Sequence, residues 1–224
     1  MKNLIYLTVL LLTCQVGFAQ LTNAAILEGV LDENTKFGRF VNARGESGSV
    51  KDAYLFDDTS GKVEIFTRSG KAYSFKDVNF NLSKQELSVP LEDGKSFTFN
   101  NADIKYFQKG NRKFVFIPGQ SKPLHEIVFK GDKGSLFKKF DLELKQAMTN
   151  PLTNEITKPA YYTKEEVMVL RRDNQVFELP SKKKKFLEAF GDDSGKIAKY
   201  IKSNNISLKN NNDIIKVIEY YNTI

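Results

Sequence analysis

The stretch Glu86-Leu87-Ser88-Val89-Pro90-Leu91-Glu92-Asp93-Gly94-Lys95-Ser96-Phe97-Thr98-Phe99 decides the fold. Leu87, Val89 and Leu91 alternate with polar residues on one side, and Phe97 and Phe99 do so on the other. Asp93-Gly94 stands between them. Both residues tolerate positive φ, which a two-residue hairpin turn demands, so the stretch reads as two antiparallel strands.

The same punctuation recurs on either side. Upstream, Val63, Ile65 and Thr67 alternate ahead of Ser69-Gly70, and residues 72–75, 78–82 and 86–89 form short β-type runs, the last halted near Pro90. Downstream, residues 104–107 and 114–117 flank Lys109-Gly110-Asn111, and residues 124–129 lead into the Gly131-Asp132-Lys133-Gly134 turn. Residues 136–144 also fit helical spacing, but the alternation of Phe140, Leu142 and Leu144 favours a strand. Residues 148–159 read as a loop between prolines. Residues 161–170 and 175–179 make a last hairpin about Asp173-Asn174. Turns roughly every 8 to 12 residues indicate an antiparallel meander rather than βαβ units.

After Pro180 the period changes. Ser181 caps a helix whose stripe is Phe186, Leu187 and Phe190, closed by Gly191. Asp192-Asp193-Ser194 opens a second helix with Ile197, Tyr200 and Ile201, and residues 211–213 cap a third with Ile214, Ile215, Val217, Ile218 and Tyr221. The expected class is mainly β or α+β. It comprises an antiparallel meander of about nine to eleven strands, free to curl or to close as a barrel, followed by three short C-terminal helices in 181–224. Residues 51–224 form one β-rich domain. Residues 20–50 are a weakly structured lead-in, where Gly29 interrupts a short apolar run and 44–49 is loop-like.

The amino terminus sets the compartment. Lys2, the apolar run 4–12 and Gly17-Phe18-Ala19 have the layout of a secretory signal peptide, residues 1–19, cleaved after Ala19. The apolar run is too short for a permanent span, which takes about 20 residues. Cys14, the sole cysteine, leaves with the signal, so the mature chain holds no thiol, disulfide or cysteine-ligated metal. Leu11-Leu12-Thr13-Cys14 faintly resembles a lipoprotein box, but Thr13 fits it poorly, and an unlipidated chain is expected. The net charge of +7 loses only Lys2 on cleavage. The lysines are dispersed, and export argues against nucleic acid as a partner.

Few residues invite chemistry. His125, the single histidine, lies in an apolar strand beside Glu126, and adjacent strand residues point to opposite faces, so the two make no dyad. Asp57-Asp58 reads as a turn and Asp192-Asp193 as a helix cap, and neither has a calcium-loop spacing. The run Lys182, Lys183, Lys184 and Lys185 opposes the dipole at a helix start, which leaves an anionic partner conceivable, although a solvated helix face is the favoured reading. Phe97, Phe99, Tyr106, Phe107, Phe114 and Phe116 suit a strand core, and would otherwise stack on sugars or line a lipid groove. No catalytic, cofactor-binding or metal-ligating residue is assigned, and no cofactor is expected.

Several motifs in order resemble a known family. They are Tyr54-Leu55-Phe56-Asp57-Asp58, Gly61-Lys62-Val63, Gly70-Lys71, Asn79-Phe80-Asn81-Leu82 and Glu86-Leu87. Tyr161-Tyr162, the Lys-rich helix start at Ser181, Lys199-Tyr200-Ile201-Lys202, Asn204-Asn205 and Ile218-Glu219-Tyr220-Tyr221-Asn222 follow. Over residues 50–224 the chain resembles a family of uncharacterised exported proteins common in Bacteroidota. The resemblance implies export and one domain, and implies no activity.

The functional expectation is a non-enzymatic periplasmic or envelope protein that acts by protein–protein contact, an accessory to an outer-membrane assembly. Its surface would be a strand edge or the terminal helix around Tyr220 and Tyr221. The alternative is a periplasmic carrier of a lipid or small hydrophobic ligand, its aromatic strands curled about a cavity. A third reading is a carboxylate-based glycan hydrolase, which needs two carboxyls about 5 to 9.5 Å apart.

Overall fold

A computed structural model describes residues 23, 26–27, 37–42, 53–91 and 94–224. The expected signal peptide, its cleavage after Ala19, and Cys14 lie outside the described residues, as does Asp93.

Fourteen strands are formed among the described residues. They are β1 (Gly38–Asn42), β2 (Lys62–Thr67), β3 (Ala72–Lys76), β4 (Asn79–Asn81), β5 (Glu86–Pro90), β6 (Lys95–Phe99) and β7 (Ile104–Lys109), then β8 (Arg112–Phe116), β9 (Leu124–Phe129), β10 (Ser135–Lys145), β11 (Met148–Thr149), β12 (Ile156–Lys158), β13 (Tyr161–Arg172) and β14 (Gln175–Glu178). Three helices follow: α1 (Lys183–Glu188), α2 (Ser194–Ser203) and α3 (Asn211–Tyr221).

The hairpin read about Asp93-Gly94 forms, but not on a two-residue turn: Leu91 N–H donates to the Lys95 carbonyl at 2.9 Å, so three residues connect the paired positions. β5 and β6 pair with Val89 opposite Phe97, and Gly94 has φ +73°. Asp173 and Asn174, at φ +49° and +59°, turn β13 into β14, the two successive positive values a type I′ hairpin needs.

The strands do not form one meander. An eight-stranded sheet runs β14-β13-β10-β9-β8-β7-β2-β3, and a four-stranded sheet runs β1-β6-β5-β4. β4, β5 and β6 are an excursion into the second sheet, after which β7 returns to pair with β2. Neither sheet closes, so the barrel option is not taken. The segment read as a lead-in also differs: Gly38–Asn42 pairs along its whole length with β6, and Leu27 and Phe37 are buried. Its apolar side chains find a partner only once β6 is in place.

The sheets pack face to face as a partial sandwich. Phe80, Leu87, Val89, Phe97 and Phe99 of one sheet meet Val63, Ile65, Phe75, Phe107 and Phe114 of the other, all buried. Ring contacts cross the layers, Phe75 to Phe99 at 5.2 Å and Phe80 to Phe116 at 5.9 Å. Each such side chain contributes about 1.5–3 kcal/mol by leaving water. The aromatic strands are therefore core, with Tyr106 outside it, stacked on Phe66 at 4.3 Å.

Further along the same face, Leu136, Met168 and Leu170 are covered by the helices through Phe186, Phe190, Ile197, Ile214, Val217, Ile218 and Tyr221. Here Asn210, one residue earlier than expected, caps α3 by accepting from the backbone N–H of Asn212 and Asp213. Asp193 stands before α2 without capping it, because its carboxylate is taken by Lys133 at 2.6 Å and Lys196 at 3.0 Å. α1 starts at Lys183, so Ser181 is not its cap. Asn222 fastens this layer to the sheet. Its Oδ1 accepts from Lys133 and Gly134 N–H at 3.0 and 3.1 Å, and its Nδ2 donates to the Gly134 and Ile218 carbonyls at 2.9 and 2.8 Å.

Candidate interaction surface

β10 and β13 are paired from Ser135 opposite Arg171 to Lys145 opposite Tyr161, whereas β9 covers β10 only from Leu136 to Lys139. The far part of the pair has no third strand on the β10 side and leads into β11–β12, a small ribbon of its own. Residues 148–159, expected as a loop, thus carry two short strands. Asn150 shapes the tip: its carbonyl accepts from Asn154 N–H at 2.8 Å and its Oδ1 from Leu152 N–H at 2.9 Å, with Asn154 at φ +56°.

The arm exposes large apolar side chains among its polar ones. Leu152 is 92% exposed, Ile156 66%, Met148 61% and Leu144 40%, four of the seven exposed large apolar side chains among the described residues. A two-stranded ribbon has no second layer to cover either face. Several large apolar side chains exposed on one short ribbon suit a contact site.

Between the two cores lies a charged seam. Arg112 grips Glu126 with Nε at 3.0 Å and Nη2 at 2.8 Å, and Lys138 reaches Glu166 at 2.9 Å. Glu126 is buried, and its hydrogen bond raises the Arg112 pKa above the ordinary value. A cleft of about 720 Å³ opens beside the seam, lined by Asp57, Asp58, Lys109, Arg112, Lys164 and Glu166 among others. Lys164 donates to the Leu55 carbonyl at 3.0 Å, and Lys109 to that of Asp58. Asp58 accepts from Ser60 N–H at 2.8 Å and Oγ–H at 2.7 Å, the turn expected there, and the Ser60 bonds hold its pKa low. Asp141, Asp193 and Asp213 are also displaced downward, opposite to what a general acid requires.

The remaining singled-out residues are dispersed. His125 is buried on the far face of the eight-stranded sheet from Glu126, its Nδ1 2.9 Å from the Pro123 carbonyl and its ring edge-on to Phe137. Burial pushes its pKa down. Lys182 to Lys185 are exposed, and Asp192-Asp193 sits in the 3₁₀ turn Gly191–Asp193. Tyr221 is buried, whereas Tyr220 is half-buried and stacked on half-buried Tyr200 at 4.2 Å. Among the described residues no group of three or more His, Cys, Asp or Glu could hold a metal ion, and no helix is long and apolar enough to cross a membrane.

The arm escaped the sequence reading because its strands are only two and three residues long. The signal that would have found it is the count of Met148, Leu152 and Ile156 in a segment otherwise polar enough for a loop. No family model, curated protein or solved structure matches the chain.

Proposed function

We propose that this is an exported envelope protein of the family its motifs resemble, acting by protein–protein contact, with the β10–β13 arm as its contact element. The observation that carries the reading is the exposure of Leu144, Met148, Leu152 and Ile156 along one ribbon. Covering Leu152, Ile156 and Met148 by a partner contributes about 1.5–3 kcal/mol each. The open edges of β11 and β12 add unpaired backbone groups to which a partner strand can bond. The occupant is a protein that presents an apolar cleft or a free sheet edge. A photo-crosslinking residue placed at Leu152, with one at exposed Lys209 as control, tests this in intact cells. A discrete adduct with one envelope protein from Leu152, absent from Lys209, is expected. Equal adducts from both positions would overturn it, as would flotation of the purified chain with lipid vesicles that Leu152→Lys abolishes.

A further inference from the structure

The outer face of the eight-stranded sheet carries a trough distinct from both the arm and the charged seam. Its volume is about 510 Å³. Half-buried Val115 of β8 and Ile127 of β9 form its floor, with buried Phe137 of β10 beneath them and buried Ile117 at one end. Val167, Val169 and Val176 continue the apolar stripe beyond it. Four cations rim the trough, Arg68 and Lys105 at one corner of the sheet and Lys130 and Arg171 at the diagonal corner, against the single carboxylate of Asp132. A twisted sheet curls opposite corners toward one face, which brings these strand ends to the same trough.

Two β-bulges shape it. Phe66 pairs with Tyr106 and Thr67 with Ile104, so Lys105 is the extra residue of β7. Ile104 and Phe107 stay buried in the sandwich while Lys105 turns out to the trough. On β9, Leu136 pairs with Phe129 and Phe137 with Ile127, so Val128 is extra. Val128 and Phe129 both pack on the helical core, and Ile127 is left facing the trough. Bulges re-aim side chains in this way at functional faces. Arg68 is anchored through Nε to the Ala102 carbonyl at 2.8 Å, and Arg171 through Nη2 to Asn174 at 3.2 Å. Lys105 and Lys130 are exposed and form no ion pair or hydrogen bond among the described residues.

An apolar floor rimmed by two anchored arginines and two unpaired lysines complements one ligand chemistry. We propose that the trough binds an anionic amphiphile, an acyl chain laid across Val115 and Ile127 over Phe137 with its carboxylate or phosphate head at a cationic corner of the rim. Charge complementarity selects the head, and the apolar strip selects the chain.

The test is calorimetric titration of the full chain with dodecanoate and dodecyl phosphate below their micellar concentrations, with octanoate, dodecyl maltoside and polyglutamate for comparison. Dodecanoate should bind more than about tenfold tighter than octanoate, because each buried methylene is worth up to about fourfold. Whichever of dodecanoate and dodecyl phosphate binds tighter names the head group. The double variant Lys105→Met and Lys130→Met, whose exposed side chains make no ion pair or hydrogen bond among the described residues, should melt as the parent does and bind at least tenfold more weakly. Equal binding of dodecyl maltoside, binding of polyglutamate with no dependence on an acyl chain, or undiminished binding by the double variant would each overturn the proposal.

Discussion

Replacing Asn222 with Ala tests how the helices are fastened to the sheet. The side chain makes four hydrogen bonds, three of them to the backbone of the turn between β9 and β10. The Ile218 carbonyl keeps the Asn222 N–H bond at 3.1 Å, so it loses little. The Lys133 N–H, the Gly134 N–H and the Gly134 carbonyl lose a partner at a half-buried site. At about 1 kcal/mol net each, the loss is about 3 kcal/mol, falling to about 2 where water re-solvates a group. With an m-value of about 2–3 kcal/mol/M for a chain of this size, the urea midpoint should drop by about 1 M. Gly131 supplies an internal control. A Cβ there would sit 2.2 Å from Asn222 Oδ1, so Gly131→Ala must expel the same side chain. Gly131→Ala should therefore destabilise the parent and cost little once Asn222 is Ala, a coupling above about 1 kcal/mol in the double-mutant cycle. A loss under about 1 kcal/mol, or additive effects, would refute the clamp.

Burial holds the folded His125 below its ordinary 6.5, with the Lys139 and Arg171 charges adding to the effect, so the unfolded chain takes up the proton first as pH falls. Its contribution to stability is full above about pH 6.5 and declines below it, and His125→Gln should flatten urea midpoints compared at about pH 8 and about pH 5.5. Glu126→Ala leaves Arg112 and Lys138 without their buried carboxylate and should cost about 3 kcal/mol in chemical unfolding, whereas Arg112→Met with Glu126→Leu should recover much of it. Phe97→Ala empties a fully buried site between the sheets and should cost about 3–5 kcal/mol, read from the same urea curves. Leu152→Lys should change folding stability by less than about 0.5 kcal/mol, since the side chain is already in water, while abolishing the adduct from a photo-crosslinking residue placed at exposed Ile156 of the same arm.

Reading strands from alternation succeeded where each strand has one covered face. The eleven runs from 62 to 179 all form. In β2 and β5 alternation records a more and a less buried side, whereas β4 and the start of β9 are buried on both faces and form from their β-type residues and flanking turns. The same periodicity placed His125 and Glu126 on opposite faces, and the register confirms it through Val115 opposite His125 and Phe114 opposite Glu126. β1 was missed because Gly38-Arg39-Phe40-Val41-Asn42 has no such pattern; Phe40 remains exposed and only pairing with β6 makes it a strand.

What the sequence by itself determined is local: the turns at Gly94 and at Asp173-Asn174, the β-rich class, the switch to helices after Pro180, and which residues of a strand share a side. These depend on backbone preferences and on spacing along a few residues. The tertiary structure alone decided that β4, β5 and β6 leave for a second sheet, that β7 returns to β2, and that the sheets stay open. It alone exposed the arm and gathered Arg68, Lys105, Lys130 and Arg171 around one apolar floor. Those outcomes depend on which distant strands meet and on where bulges fall, and periodicity within a strand carries no record of its neighbour.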